Sequence, residues 1–186
     1  MRPSTLALFA LLLVAPSLAA CLDPFFTLCL DVSSADASGI LTFNATCLPS
    51  PGSTNLTWCG FGFSRSSTAT MFPATLSVLQ LAPSGALFLE DRDAAQGYTL
   101  PPCFAEQAST LVAASRDAAS GALRATWTRA ARASPTQRAA GYADLGGNMT
   151  AIGASSSDGA RAAARCLDYM TPHVLVQPGV PFSFPA

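Results

Sequence analysis

Between residues 39 and 155 the chain runs in short stretches that alternate apolar and polar residues, and most are separated by clusters of Gly, Pro, Ser, Ala or Asp. Period-two alternation is the signature of strands with one buried face, because successive side chains point to opposite sides. "GILTFNATCL" (39–48) and "NLTWCGFGF" (55–63) flank the turn cluster "PSPGST" and predict a hairpin. "TLSVLQLA" (75–82) and "ALFLED" (86–91) flank "PSG", and "ASTLVAASRD" (108–117) precedes "GALRATWTRA" (121–130) across "AAS". In the last of these, Leu123, Ala125 and Trp127 share one face and Arg124, Thr126 and Thr128 the other. "NMTAIGAS" (148–155) adds a further strand, and residues 157–170 carry a helical turn or more behind Ser157 or Asp158. The small, polar segment 131–147 reads as a loop. Many short antiparallel strands at this spacing predict an all-β sandwich of eight or more strands, with Trp58 and Trp127 buried.

The N-terminus "MRPSTLALFALLLVAPSLAAC" has one Arg, an apolar run too short for a bilayer, and small residues before Cys21. It reads as a signal peptide over 1–20, leaving one domain over 21–186. The expected location is extracellular. Leu18-Ala19-Ala20-Cys21 also fits a lipid-attachment box, so anchoring through Cys21 is the alternative in a bacterial source. No later stretch is long and apolar enough for a membrane helix. The formal net charge is −1 and the arginines are scattered, which argues against a nucleic-acid partner.

Cys21, Cys29, Cys47, Cys59, Cys103 and Cys166 all lie beyond the leader. An even set in an exported chain points to disulfides, and with no CxxC pair a metal site is not expected. Folding the predicted hairpin brings Cys47 toward Cys59, which makes that pair the favoured one. Asn44, Asn55 and Asn148 head glycosylation sequons.

Within "WCGFGFS", Cys59, Phe61 and Phe63 share a face, and Trp58, Gly60 and Gly62 share the other. Interior glycines weaken a strand and usually admit something close. Two readings follow: a neighbouring aromatic such as Trp127 packs over the bare strip, or a ligand does.

The order of these pieces resembles the DOMON family, the module named from the N-terminal region of dopamine β-monooxygenase and found as the cytochrome domain of cellobiose dehydrogenase. Trp58 to Ser64 is similar to the family's W-x-G-F-G-[FIL]-S strand, and Met71 follows on the next loop. "FPATLSVLQL" carries Thr75 where the family often has Asp. "GALFLEDRD" supplies Asp91, "QGYTLPP" resembles the next family segment, and "GALRATWTRAARA" supplies Trp127 and Arg129. "NMTAIGAS" resembles the late strand without its Trp. The likeness covers about residues 30–155.

The resemblance implies an immunoglobulin-like antiparallel sandwich that either binds b-type haem or serves as an interaction module. Haem-binding members use a Met after the glycine strand and a His near the C-terminal end. Met71 and His173, the chain's single histidine, are the matching candidates. Gly60, Gly62 and Phe72 would then line the pocket with Leu76 and Ile152, and the partner would be an extracellular redox protein. The alternative is a cofactor-free module for carbohydrate or protein. An ordinary immunoglobulin domain fits less well, since the tyrosine-corner position before Cys103 is Pro101.

One histidine, no GxSxG and no HExxH leave no catalytic constellation, so no catalytic residue is expected. The acidic run Glu90-Asp91-Arg92-Asp93 is expected to be a solvated turn rather than a cation site.

Overall fold

In a computed structural model, residues 18–22, 27–49, 53, 55–64, 74–94, 102–156, 166 and 175–184 are described. Their strands are β1 (Leu18–Cys21), β2 (Leu28–Val32), β3 (Ile40–Cys47), β4 (Trp58–Ser64), β5 (Ala74–Leu81), β6 (Leu87–Ala94), β7 (Thr110–Arg116), β8 (Leu123–Ala130), β9 (Asn148–Ser156) and β10 (Leu175–Ser183). They form two five-stranded sheets, β1-β2-β3-β8-β7 and β10-β9-β4-β5-β6, and every pairing is antiparallel. This is the predicted all-β sandwich.

The alternating runs pack as their pattern dictates. Leu41, Phe43 and Ala45 of β3, Leu123, Ala125 and Trp127 of β8, and Cys59, Phe61 and Phe63 of β4 fill the space between the sheets. Trp127 stacks on Phe43 with ring centroids 5.2 Å apart, and Phe61 approaches the same indole at 6.2 Å. Burying such aromatics supplies much of the driving force for bringing the sheets together.

The expected hairpin between β3 and β4 does not form. β3 pairs with β2 and β8, and β4 pairs with β5 and β9, so the two strands lie in opposite sheets. Each carries an apolar face, and facing each other across the core buries both at once. Phe43 and Phe63 meet there at 6.1 Å. The Cys47–Cys59 bond is present, but it staples one sheet to the other instead of crossing a hairpin. Cys21–Cys29 and Cys103–Cys166 complete the set. With its sulfur bonded to Cys29, Cys21 has no free thiol for a lipid.

Segment 131–147 is not all loop: it contains the short helix α1 (Pro135–Ala139). Ser134 and Gln137 form a reciprocal capping box and Pro135 occupies the first turn, a signal already present in "SPTQ". Of the predicted helical segment 157–170 only Cys166 is described. Among the described residues no helix is long and apolar enough to cross a membrane.

Candidate functional site

The glycine strip looks outward, away from the other sheet. Trp58, Ala74, Leu76, Val78, Ala94 and Ile152 form a second apolar cluster on this outer face, with Ala154 packed against it. Trp127 belongs to the inter-sheet core and does not cover the strip.

The register explains what the glycines do. Gly60 is paired with Val78 and Ala154, and Gly62 with Leu76 and Ile152. A β-carbon on Gly62 would meet Ile152 Cγ1 at 2.9 Å and collide still more closely with Leu76 Cδ2. A β-carbon on Gly60 would meet Val78 Cγ2 at 3.2 Å and Trp58 Cζ3 at 3.9 Å. The missing side chains let the aliphatic neighbours lie down on the β4 backbone. With Ala74, Ala94 and Ala154 around them, the result is a low apolar floor. Trp58 is 4% exposed, Ile152 5% and Leu76 9%, although all three point away from the main core.

One side of this floor is polar. β6 alternates so that Glu90 and Arg92 face outward beside Val78 and Leu76. The expected solvated acidic turn is therefore wrong: Glu90, Asp91 and Arg92 are strand residues with no exposure. Glu90 accepts from Gln80 Nε2, from Arg92 Nε at 2.5 Å and from the Cys166 amide at 2.7 Å. A buried carboxylate is tolerable only with such partners. Glu90 and the sulfurs of Cys103 and Cys166 converge within 4.8 Å. Closed as a disulfide, those sulfurs offer no thiolate to a metal.

Asp91 points the other way, into the end of the sandwich. Its carboxylate accepts from the amides of Ala108 at 2.8 Å and Ser109 at 2.7 Å and from the Ser77 hydroxyl at 3.0 Å. The Tyr142 hydroxyl lies 3.3 Å from the same carboxylate and 2.8 Å from the Glu106 carbonyl. Arg129 sits 5.0 Å from the Tyr142 ring centre and donates to the Ala143 carbonyl. Burial depresses the Arg129 guanidinium, and the charge of Asp91 opposes that shift. Burial likewise pushes the Tyr142 phenol well above its ordinary value, with Asp91 adding to the effect. Every member is engaged, so the cluster is a structural tie between β6, β8 and the 102–109 segment.

Gly60, Gly62, Leu76 and Ile152 are neighbours on the outer face of one sheet. Met71, Phe72 and His173 lie outside the described residues. The sequence reading missed the Gln80–Glu90–Arg92 group, although the alternation in "LFLEDRDA" already puts Glu90 and Arg92 on one face. Asn44, Asn55 and Asn148 are all exposed.

No family model matches the chain, and no curated protein does. The fold is similar to that of the cytochrome domain of cellobiose dehydrogenase from Myriococcum thermophilum, with a TM-score of 0.61 at 15% identity. That match covers 85% of this chain and 75% of the other. The cytochrome b domain of pyranose dehydrogenase from Coprinopsis cinerea gives 0.58 at 16% identity, covering 83% and 75%. At such identities the likeness carries the fold, which is the DOMON type that the order of the strands had suggested.

Proposed function

We propose that this chain is an exported, non-catalytic electron-transfer module that holds b-type haem against the outer face of the second sheet, with Met71 and His173 as axial ligands. The observation that carries the proposal is the glycine floor: a broad, buried, apolar surface of Trp58, Leu76, Val78 and Ile152 on the outside of a sandwich. Haem is a large and mostly apolar ring, and such a surface fits its packing needs. Chain length also favours the ligands. Met71 precedes Ala74 of the floor by three residues, about 10 Å of extended chain at most. His173 precedes Leu175, the register partner of Ser155 on β9, by two.

Bound haem would supply a one-electron couple, and thioether plus imidazole ligation raises its potential. The chain's own contribution is to keep water from the ring with the floor residues and to hold the two ligands. Phe72, beside Met71, is the remaining pocket candidate. The two fungal cytochrome domains of the same fold support this reading. Three disulfides support export. The electron partner would then be another extracellular protein.

A second reading has its own support. Leu76 and Ile152 pack directly onto Gly62, so this strip needs no cofactor to be covered, which favours a cofactor-free module for carbohydrate or protein. An absorption spectrum of the purified protein with added haemin, oxidised and then reduced, separates the two. Sharp low-spin bands lost in both Met71→Ala and His173→Ala are expected. Absence of haemin uptake by the wild type would leave the cofactor-free module.

A further inference from the structure

Two side-chain atoms among the described residues are buried without a hydrogen-bond partner, and one of them is Trp58 Nε1 on the glycine floor. A buried indole N–H normally finds an acceptor, because leaving one unmet forfeits its hydration without return. The position of the ring is fixed by the strand. Trp58 leans its benzene edge onto Gly60, with Cζ3 3.9 Å from where a β-carbon would stand. The N–H is on the opposite edge of the indole, away from Gly60. There Trp58 shares a row with Ser156 and Gln80, its register partners on β9 and β5. The rows beyond are apolar across β9, β4 and β5: Ala154, Gly60 and Val78, then Ile152, Gly62 and Leu76. The floor is thus amphipathic along β4, with a polar row at one end.

The nearby carboxylate does not serve this donor. Glu90 is already engaged by Gln80, Arg92 and the Cys166 amide. Among the described residues no group accepts from this N–H, so an acceptor carried by a bound ligand would complete it.

We infer that Trp58 Nε1 is the donor that positions the carboxylate end of the ligand on this floor, which for haem means a propionate. This rests on the haem reading above. The periphery of the macrocycle is hydrocarbon except for its two propionates, so only they offer an oxygen acceptor. An N–H bond to a carboxylate is charge-assisted and stronger than one to a neutral oxygen. It also fixes which edge of the ring meets the polar row, because the apolar edge cannot satisfy the indole. Trp58 is a positioning residue and takes no part in iron ligation.

The test compares haemin with haemin dimethyl ester, whose esters remove both negative charges. Wild-type protein should bind the ester about tenfold more weakly than haemin, and in Trp58→Phe, whatever its overall affinity, that ratio should fall to about one. Equal wild-type affinity for the two probes overturns the inference and leaves the haem reading standing, even where Trp58→Phe fails to fold. A folded Trp58→Phe protein that keeps the full preference for haemin overturns it as well. No uptake of either probe by the wild type overturns the haem reading and, with it, this role for Trp58.

Discussion

Leu76 lies across Gly62, occupying the space where any other residue would carry its β-carbon. Ile152 closes in from the other side, its Cγ1 2.9 Å from the same point. Gly62→Ala should therefore destabilise the protein by about 1–3 kcal/mol, the usual range for overpacking. Gly60→Ala should cost less, since Val78 is 3.2 Å away and only a methyl must shift. Urea midpoints of the two variants test the order, and an equal or reversed ranking would contradict it.

Cys47 and Cys59 join sheets that share no hydrogen bonds through these strands, and both are fully buried. The double variant Cys47→Ala/Cys59→Ala should lose about 2–4 kcal/mol by the loop-closure argument. Its far-UV circular dichroism should stay that of a β protein, because the aromatic core does not depend on the bond. Peptide mapping without reduction that finds Cys59 paired elsewhere would reject the assignment.

Asp91 gathers two amides and the Ser77 hydroxyl, and its charge offsets the burial of Arg129. Asp91→Ala strands all of these at once. The expected loss is about 3–5 kcal/mol, as for breaking one side of a buried charge pair. A shift in denaturation midpoint below 1 kcal/mol would show that the cluster relaxes into water, with the threshold set by surface pairs at about 0–1 kcal/mol.

Tyr142 gives a pH signature. Its folded-state pKa is raised by burial above the unfolded value of about 10. The folded protein thus binds the phenolic proton more tightly than the unfolded chain. That contribution is complete below about pH 10 and is lost as the pH rises beyond it. Tyr142→Phe should remove this part of the alkaline loss while leaving the pH dependence near neutrality unchanged. Parallel alkaline limbs for wild type and variant would be the contrary result.

Asn44, Asn55 and Asn148 stand exposed at the surface. Asn44 accepts from Thr126 through Oδ1, so that bond does not use the Nδ2 to which a glycan attaches. Expression in a eukaryotic secretory pathway should give three glycans, with each Asn→Gln change removing one mass step. A single unshifted species before and after glycosidase treatment would count against all three.

The sequence by itself determined the strands between residues 39 and 155, but not β1, β2 or β10, because period-two alternation is local: it can be read from "LRATWTRA" or "LTFNATC" without knowing any partner. It also determined that Trp58, Gly60 and Gly62 share a face, and it supplied the capping box in "SPTQ". Tertiary structure decided what was non-local. β3 and β4 were separated into opposite sheets because two apolar faces bury more surface against each other than side by side. Cys47 and Cys59 are bonded between the two sheets and not across a hairpin. Glu90, Asp91 and Arg92 look like a wet acidic turn when only their charges are counted. They are buried because partners distant in sequence, among them Gln80, Ala108, Ser109 and Cys166, converge on them. Which side of the sheet receives the glycine strip was also beyond the pattern. Alternation gives two faces without naming the inner one, and the heavier aromatic load of Phe61 and Phe63 drew that face into the core and left the glycines to form a floor outside it.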